Sequence, residues 1–365
     1  MKSVRMSIII VLALLSPFIW GQQDLSPDDY MMLATFYEMK EYRTFDVSNQ
    51  GEITYKSKQQ LSAKPYHITC APNGKWGLVG CSTLYSVLIE IDKERKVHVW
   101  DYLPNPYISG ETAFYVAISP DSRKGCYRHS LNTVNIINNS NYTVTINSNI
   151  SLGKFAFLSP CRIIAHTPVI DWWTLSEFSV RNDGVTTPTG VTIDISPSTA
   201  QRGICVSPDG KTAIVISGVG ADVTVIRVNG DGDFSVVQQF GRYEQPSAVH
   251  FSQNSSLVAI RYERFISIYA VSYDSRLTEI SRASIPRGVP DGMMAVSYDF
   301  KLAVAGYRVL EGGYYKSYFY VFRIHENGMI EYLPDKDYVC LGLYADIAFV
   351  PPQVTDAEPA WNMYE

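Results

Sequence analysis

Residues 204–217 read "ICVSPDGKTAIVIS": an apolar run, a Ser-Pro-Asp-Gly-Lys turn and a second apolar run. Asp-Gly between two alternating hydrophobic stretches signals a tight turn between antiparallel strands. Weaker copies of this hairpin recur along the chain. With Pro208 as anchor, the series runs "HITCAPNGK" (Pro72), "YVAISPDSR" (Pro120), "KFAFLSPCR" (Pro160), "GICVSPDGK" (Pro208), "AVHFSQNSS" (Gln253), "MMAVSYDFK" (Tyr298) and "ADIAFVPPQ" (Pro351). The intervals are 48, 40, 48, 45, 45 and 53 residues. Seven copies at near-constant spacing mark a repeat, and the repeat sets the architecture.

Each interval has the same internal grammar. After the turn comes a second strand ("KWGLVGCS", "TAIVISG", "SLVAIRY", "KLAVAGY"). A third and a fourth follow, usually joined by a polar or glycine turn, as in "VTVIRV-NGDGD-FSVVQQF" and "YFYVFRI-HENG-MIEYL". Four short strands per 45 or so residues make a β-propeller blade. The last copy supplies one strand, and "YMMLATFYEMKEYRTFDVSNQGEITYKSKQQL" before the first copy reads as three more. The expected fold is therefore all-β, a seven-bladed β-propeller over residues 22–365. Its last blade is closed by three N-terminal strands plus one C-terminal strand, which removes the open sheet edges.

The first 21 residues read as a signal peptide. "MKSVR" carries two positive charges, Met6 to Trp20 is apolar, and Gly21 stands at the cleavage point. The apolar stretch is short for a spanning helix and is broken by Ser16-Pro17. The expected mature protein is secreted or periplasmic, with no transmembrane segment after cleavage. Net charge is −5 and no Lys/Arg-rich run occurs, which argues against nucleic acid as a partner. Six cysteines allow 15 disulfide pairings, and sequence does not choose among them. There is no C-x-x-C and no His or Cys at metal-ligand spacing, so neither metal nor cofactor is expected.

The repeated "SPDGK" between two apolar strands resembles the YVTN-type propellers, a group similar to 6-phosphogluconolactonases and the methylamine dehydrogenase heavy chain. The resemblance covers nearly the whole mature chain and is best at residues 202–240. The second strand departs from the group's Tyr-Val-X-Asn, reading "AIVIS", "GLVGC" or "AVAGY". WD-repeat proteins are a second relative to weigh, but Trp100-Asp101 is the single Trp-Asp and no copy has a Gly-His start. The group contains enzymes and non-enzymes, and no catalytic motif transfers residue by residue.

Aligning the anchors places equivalent residues in rings at one end of the central channel. Five residues before each anchor stand His67, Tyr115, Phe155, Gly203, Ala248, Met293 and Asp346. One position earlier stand Tyr66, Phe114, Lys154, Arg202, Ser247, Gly292 and Ala345. Nearby loops add Lys64, Glu111, Glu244 and Asp291. The candidate catalytic set is His67, Glu111, Lys154, Arg202 and Asp346. Lys154 and Arg202 would stabilise a carboxylate or oxyanion, while His67 with Asp346 or Glu111 would act as base toward a water. Mixed-sign charge is also the norm of any solvated loop surface, so the same residues fit a bland reading. His250, in "AVHFS", reads as a hydrogen-bonded core residue.

Binding candidates are Tyr115, Glu244, Asp291, and Tyr314, Tyr315 and Tyr318 of a tyrosine-rich protrusion in the sixth blade. Successive tyrosines on a strand point to opposite faces, so part of that protrusion must be exposed. Trp172-Trp173 could add an aromatic ledge, although aromatics also build blade interfaces. Three functions remain open at this level. The first is an exported module binding a protein or carbohydrate partner. The second is a lactonase-like hydrolase using the channel mouth, and the third is a subunit of a periplasmic redox complex.

Overall fold

A computed structural model of the chain describes residues 30–82, 85–104, 115–127, 132–138, 141–147, 154–166, 174–195, 201–217, 222–229, 233–241, 245–287 and 292–353. The expected signal peptide (residues 1–21) and Trp172-Trp173 lie outside the described residues. The rest forms seven antiparallel sheets. Each runs from an inner strand at the axis to an outer strand at the rim. The inner strands are Pro65–Cys70 (blade 1), Val116–Ile118 (blade 2), Phe155–Ser159 (blade 3), Gln201–Val206 (blade 4), Ala248–Phe251 (blade 5), Met294–Val296 (blade 6) and Tyr344–Val350 (blade 7). Each touches the inner strands of both neighbours, so the ring is closed.

Closure occurs as the repeat requires. Tyr344–Val350 pairs with Tyr30–Phe36 (Met31 opposite Val350, Ala34 opposite Ile347), and Glu41–Val47 and Ile53–Gln60 complete the sheet. The chain's two end segments thus share one blade.

Strand composition follows position. The second strands Trp76–Cys81 and Thr212–Ser217 are buried at every residue, because a blade has a neighbour on each face. They therefore read as continuous apolar runs. The outer strand Leu277–Ser284 instead alternates between covered and exposed positions. The cores lie between blades. Ile214, Ile216, Val223 and Val225 of blade 4, for example, pack on Val258, Ile260, Tyr262 and Tyr269 of blade 5.

The turn that defines the repeat is a side-chain device. In blade 4, Ser207 Oγ donates to Asp209 Oδ1 (2.6 Å) and accepts from the Thr212 amide (3.0 Å), while Asp209 Oδ1 accepts from the Lys211 amide (3.1 Å). Blades 2 and 6 repeat it with Ser119–Asp121 and Ser297–Asp299, and blade 5 substitutes Asn254 for the acid. The loop is longer than a two-residue hairpin. Gly210 N bonds back to Ser207 O (2.8 Å), and Gly210 alone of the Asp-Gly pair has positive φ, at 70°. The equivalent Gly74, Ser122, Ser255 and Phe300 share that conformation (φ 59–67°). Blade 3 departs, since Ser159 pairs directly with Arg162.

Blade 6 is larger than expected. Leu302–Glu311 and Tyr314–Ile324 form a long hairpin, and Ile330–Tyr332 covers only the hairpin's base. A fifth strand, Tyr338–Leu341, pairs with Lys316–Phe319 farther along. Residues 306–311 continue past the first residue of the inner strand, since Met294 pairs with Ala305. The hairpin therefore rises on the side of the ring where the inner strands begin. All six cysteines are unpaired, with Cys81 and Cys126 buried as small apolar residues.

At Gly210 a Cβ would stand 2.7 Å from the Leu158 carbonyl of blade 3, on a backbone that L-residues disfavour. Gly210→Ala is expected to destabilise the protein by roughly 1–2 kcal/mol from the left-handed conformation, with the clash adding to it. Urea unfolding of the variant beside the parent chain measures this. A Ser255→Gly change in the equivalent turn is expected to cost far less.

Candidate functional site

The inner strands enclose an axial cavity of about 1450 Å³. Its middle is lined by small and apolar residues such as Ile68, Val116, Ala156, Ile204 and Val249. The mouth where the inner strands begin is polar, and backbone irregularity shapes it. In blades 1, 4 and 7 the pairing slips by one residue at the strand start, between Pro65 and His67, between Gln201 and Gly203, and opposite Thr35/Phe36. The residues that the register passes over are Tyr66, Arg202 and Ala345, all at the same ring position. A bulge breaks the pleat there and re-aims the side chains on either side of it.

Four of the expected residues come together across adjacent blades. Asp346 (blade 7) is 5% exposed, and its two oxygens accept from the amides of Ile68 (3.0 Å) and Ile347 (2.9 Å). His67 Nε2 (blade 1) lies 3.5 Å from Asp346 Oδ2. The Tyr115 ring (blade 2) lies against the imidazole, with centroids 4.5 Å apart, and Lys154 Nζ (blade 3) sits 4.3 Å from the Tyr115 centroid. The Tyr115 hydroxyl reaches the backbone of Ile204 in blade 4, so this ring floors the mouth.

Burial dominates the electrostatics. Desolvation raises the Asp346 carboxyl to about 7, although its two amide bonds and Lys154 pull the other way. Desolvation first, then the charge of Lys154 and the neighbouring His250, push His67 down to about 3. The Lys154 ammonium falls to about 8, again through desolvation, partly offset by Asp346. At neutral pH the His67–Asp346 contact is thus a neutral imidazole beside a half-titrated carboxyl rather than an ion pair. His67 Nδ1 is buried without a hydrogen-bond partner among the described residues.

Arg202 lies on the blade 4 side, its Nη2 donating to Gln245 Oε1 at 2.6 Å. His250 is hydrogen-bonded as expected, to the Met294 carbonyl at 2.7 Å, and it also lines the cavity wall. Glu111, Glu244 and Asp291 lie outside the described residues. Tyr314 and Tyr315 are 70% and 44% exposed at the tip of the blade 6 hairpin. Tyr318 is half-buried, donating to Glu311 (3.0 Å) beneath the Arg287 guanidinium.

Two residues were not singled out from sequence. Ser247 occupies the ring position of Lys154 and Arg202 in the next blade, and that alignment was the available signal. Arg261 is fully buried, with Nη1 donating to the Gly306 carbonyl (2.8 Å) and to the Met293 carbonyl. Nothing in "LVAIRY" sets it apart.

No protein-family model matches the chain, and no curated protein matches its sequence. Solved structures do match. A candidate 6-phosphogluconolactonase of Bacteroides uniformis superposes with a TM-score of 0.71 at 16% identity, over 88% of this chain and 100% of that one. The periplasmic gluconolactonase of Pseudomonas aeruginosa gives 0.67 at 13% identity, over 91% and 100%. A protein of unknown function from Desulfotomaculum acetoxidans gives 0.64 at 17%, over 89% and 99%. The fold is that of the lactonase-like propellers. At these identities the likeness extends to the architecture and not to the chemistry.

The Asp346 carboxyl holds its proton more tightly in the folded chain (about 7) than in an unfolded one (3.8). It contributes stability that is full below about pH 4 and is lost as pH rises through 7. The melting temperature of the parent chain relative to Asp346→Asn should therefore fall between pH 4 and pH 8. Parallel slopes for the two proteins would remove the assignment.

Proposed function

We propose that the chain is exported by its N-terminal segment and binds a small polar ligand in the channel mouth, where it opens lactones by hydrolysis. The Asp346–His67–Tyr115–Lys154 cluster carries this reading. Asp346 and Lys154, moved by burial to about 7 and about 8 and gathered in one concave site, are poised for acid–base chemistry near neutral pH. The gluconolactonase-like neighbours support the choice of reaction at the level of fold.

The roles follow from position. A water beside His67 attacks the lactone carbonyl and passes its proton to the Asp346 carboxylate, whose proton affinity near 7 suits a base at neutral pH. His67, held neutral by burial, lies 3.5 Å from Asp346 Oδ2 and orients that carboxylate. Lys154 and Arg202 face the oxyanion. Collapse of the tetrahedral intermediate breaks the ring C–O bond, the leaving alkoxide takes the proton from Asp346, and a hydroxy acid results.

A second reading, as a partner-binding module, draws support from the exposed Tyr314 and Tyr315 on the blade 6 hairpin. Loss of a partner on Tyr314→Ser/Tyr315→Ser, with lactone turnover absent, would favour it.

Turnover of sugar lactones, followed as acid release, tests the first reading. Lys154→Met, Arg202→Ala and Asp346→Asn are each expected to lower kcat/KM by about 100-fold or more while the fold persists. The rate should rise as Asp346 ionises near pH 7 and fall as Lys154 loses its proton near pH 8. A rate unchanged in all three variants would end the hydrolase reading.

A further inference from the structure

The two cations that face the oxyanion belong to a row of three residues, the third of which the hydrolysis does not use. Lys154, Arg202 and Ser247 hold the same ring position in blades 3, 4 and 5, whose inner strands are successive neighbours. All three line the cavity. They present an ammonium, a guanidinium and a hydroxyl along one wall. The Arg202 head is fixed by Gln245 at 2.6 Å. Ser247 is only 7% exposed, and its Oγ is buried with no hydrogen-bond partner among the described residues. A buried hydroxyl without a partner costs free energy unless something in the cavity completes it. Asp346 and His67 stand in blades 7 and 1, the latter with Nδ1 likewise without a partner among the described residues. The donors and cations thus belong to blades 3 to 5 and the acid and the imidazole to blades 7 and 1, with Tyr115 of blade 2 linking Lys154 to His67.

We propose that the wall formed by Lys154, Arg202 and Ser247 is a carboxylate subsite, so that the mouth takes small hydroxy acids, with their hydroxyls directed to Asp346 and His67. This rests on the reading of the mouth as a ligand site, and it adds the class of ligand. The guanidinium and ammonium supply charge-assisted bonds to one carboxylate, and Ser247 Oγ supplies a third donor. Blades 7 and 1 offer a carboxyl and an imidazole, groups that accept from hydroxyls. The Tyr115 ring joins the two groups of residues, lying against the His67 imidazole (4.5 Å between centroids) and under Lys154 Nζ (4.3 Å).

The test is calorimetric titration of the chain with gluconate and galacturonate, each beside its uncharged counterpart, glucitol or galactose. At least one acid is expected to bind ten times more tightly than its neutral partner, and more weakly as salt is raised. Lys154→Met should abolish that preference, Ser247→Ala should weaken acid binding severalfold, and Lys154→Arg should retain most of it. Melting curves of each variant confirm folding. Equal affinity for acid and neutral polyol, an unchanged preference in Lys154→Met, or no binding of either acid overturns the inference. Lactone turnover without acid binding would leave the hydrolase and remove the subsite. Acid binding without turnover would do the reverse.

Discussion

The hydrogen bonds between Tyr344–Val350 and Tyr30–Phe36 hold the ring shut, and the candidate site is built on that seam. Asp346 lies within the closing strand. Its backbone is tied to Thr35 in the same blade (Asp346 N to Thr35 Oγ1, 3.1 Å), and its carboxylate bonds the Ile68 amide of blade 1. The residue that joins the last blade to the first is therefore also the buried acid of the mouth. Taking a carboxylate out of water is costly, and two amide bonds only partly offset it. The remainder appears as a carboxyl that keeps its proton to about pH 7.

The rest of the mouth depends on the same geometry. Burial that holds His67 neutral also lowers Lys154, so three groups are displaced by one cause. Their alternation around the axis arises because adjacent blades each contribute the start of one inner strand. Bulges at Tyr66, Arg202 and Ala345 break the pleat where side chains must be aimed along the axis rather than into a blade. The blade 6 hairpin rises on this same side of the ring.

Much of this was legible in the residues. The Ser-x-Asp turn recurs because the serine hydroxyl and the aspartate carboxylate cap the loop's free amides, a local requirement that any blade must meet. Even the copies with Gln253 or Tyr298 in place of proline keep that serine, as Ser252 and Ser297. The ring positions followed from the same alignment, and so did His67, Tyr115, Lys154, Arg202 and Asp346. The fifth strand of blade 6 did not. Tyr338–Leu341 pairs only because the long hairpin leaves an uncovered edge beyond Ile330–Tyr332, and no local pattern announces such an edge.

The number of blades, the mode of closure and the set of residues at the mouth can be read from the sequence, because the period and the turn chemistry are local and repeat. Which of those residues meet, and in what protonation state, depends on the closed ring. Asp346 and His67 are 279 positions apart along the chain, and their contact exists only once the ring has closed. Their displaced proton affinities come from water excluded by seven blades at once, a quantity that no single segment carries.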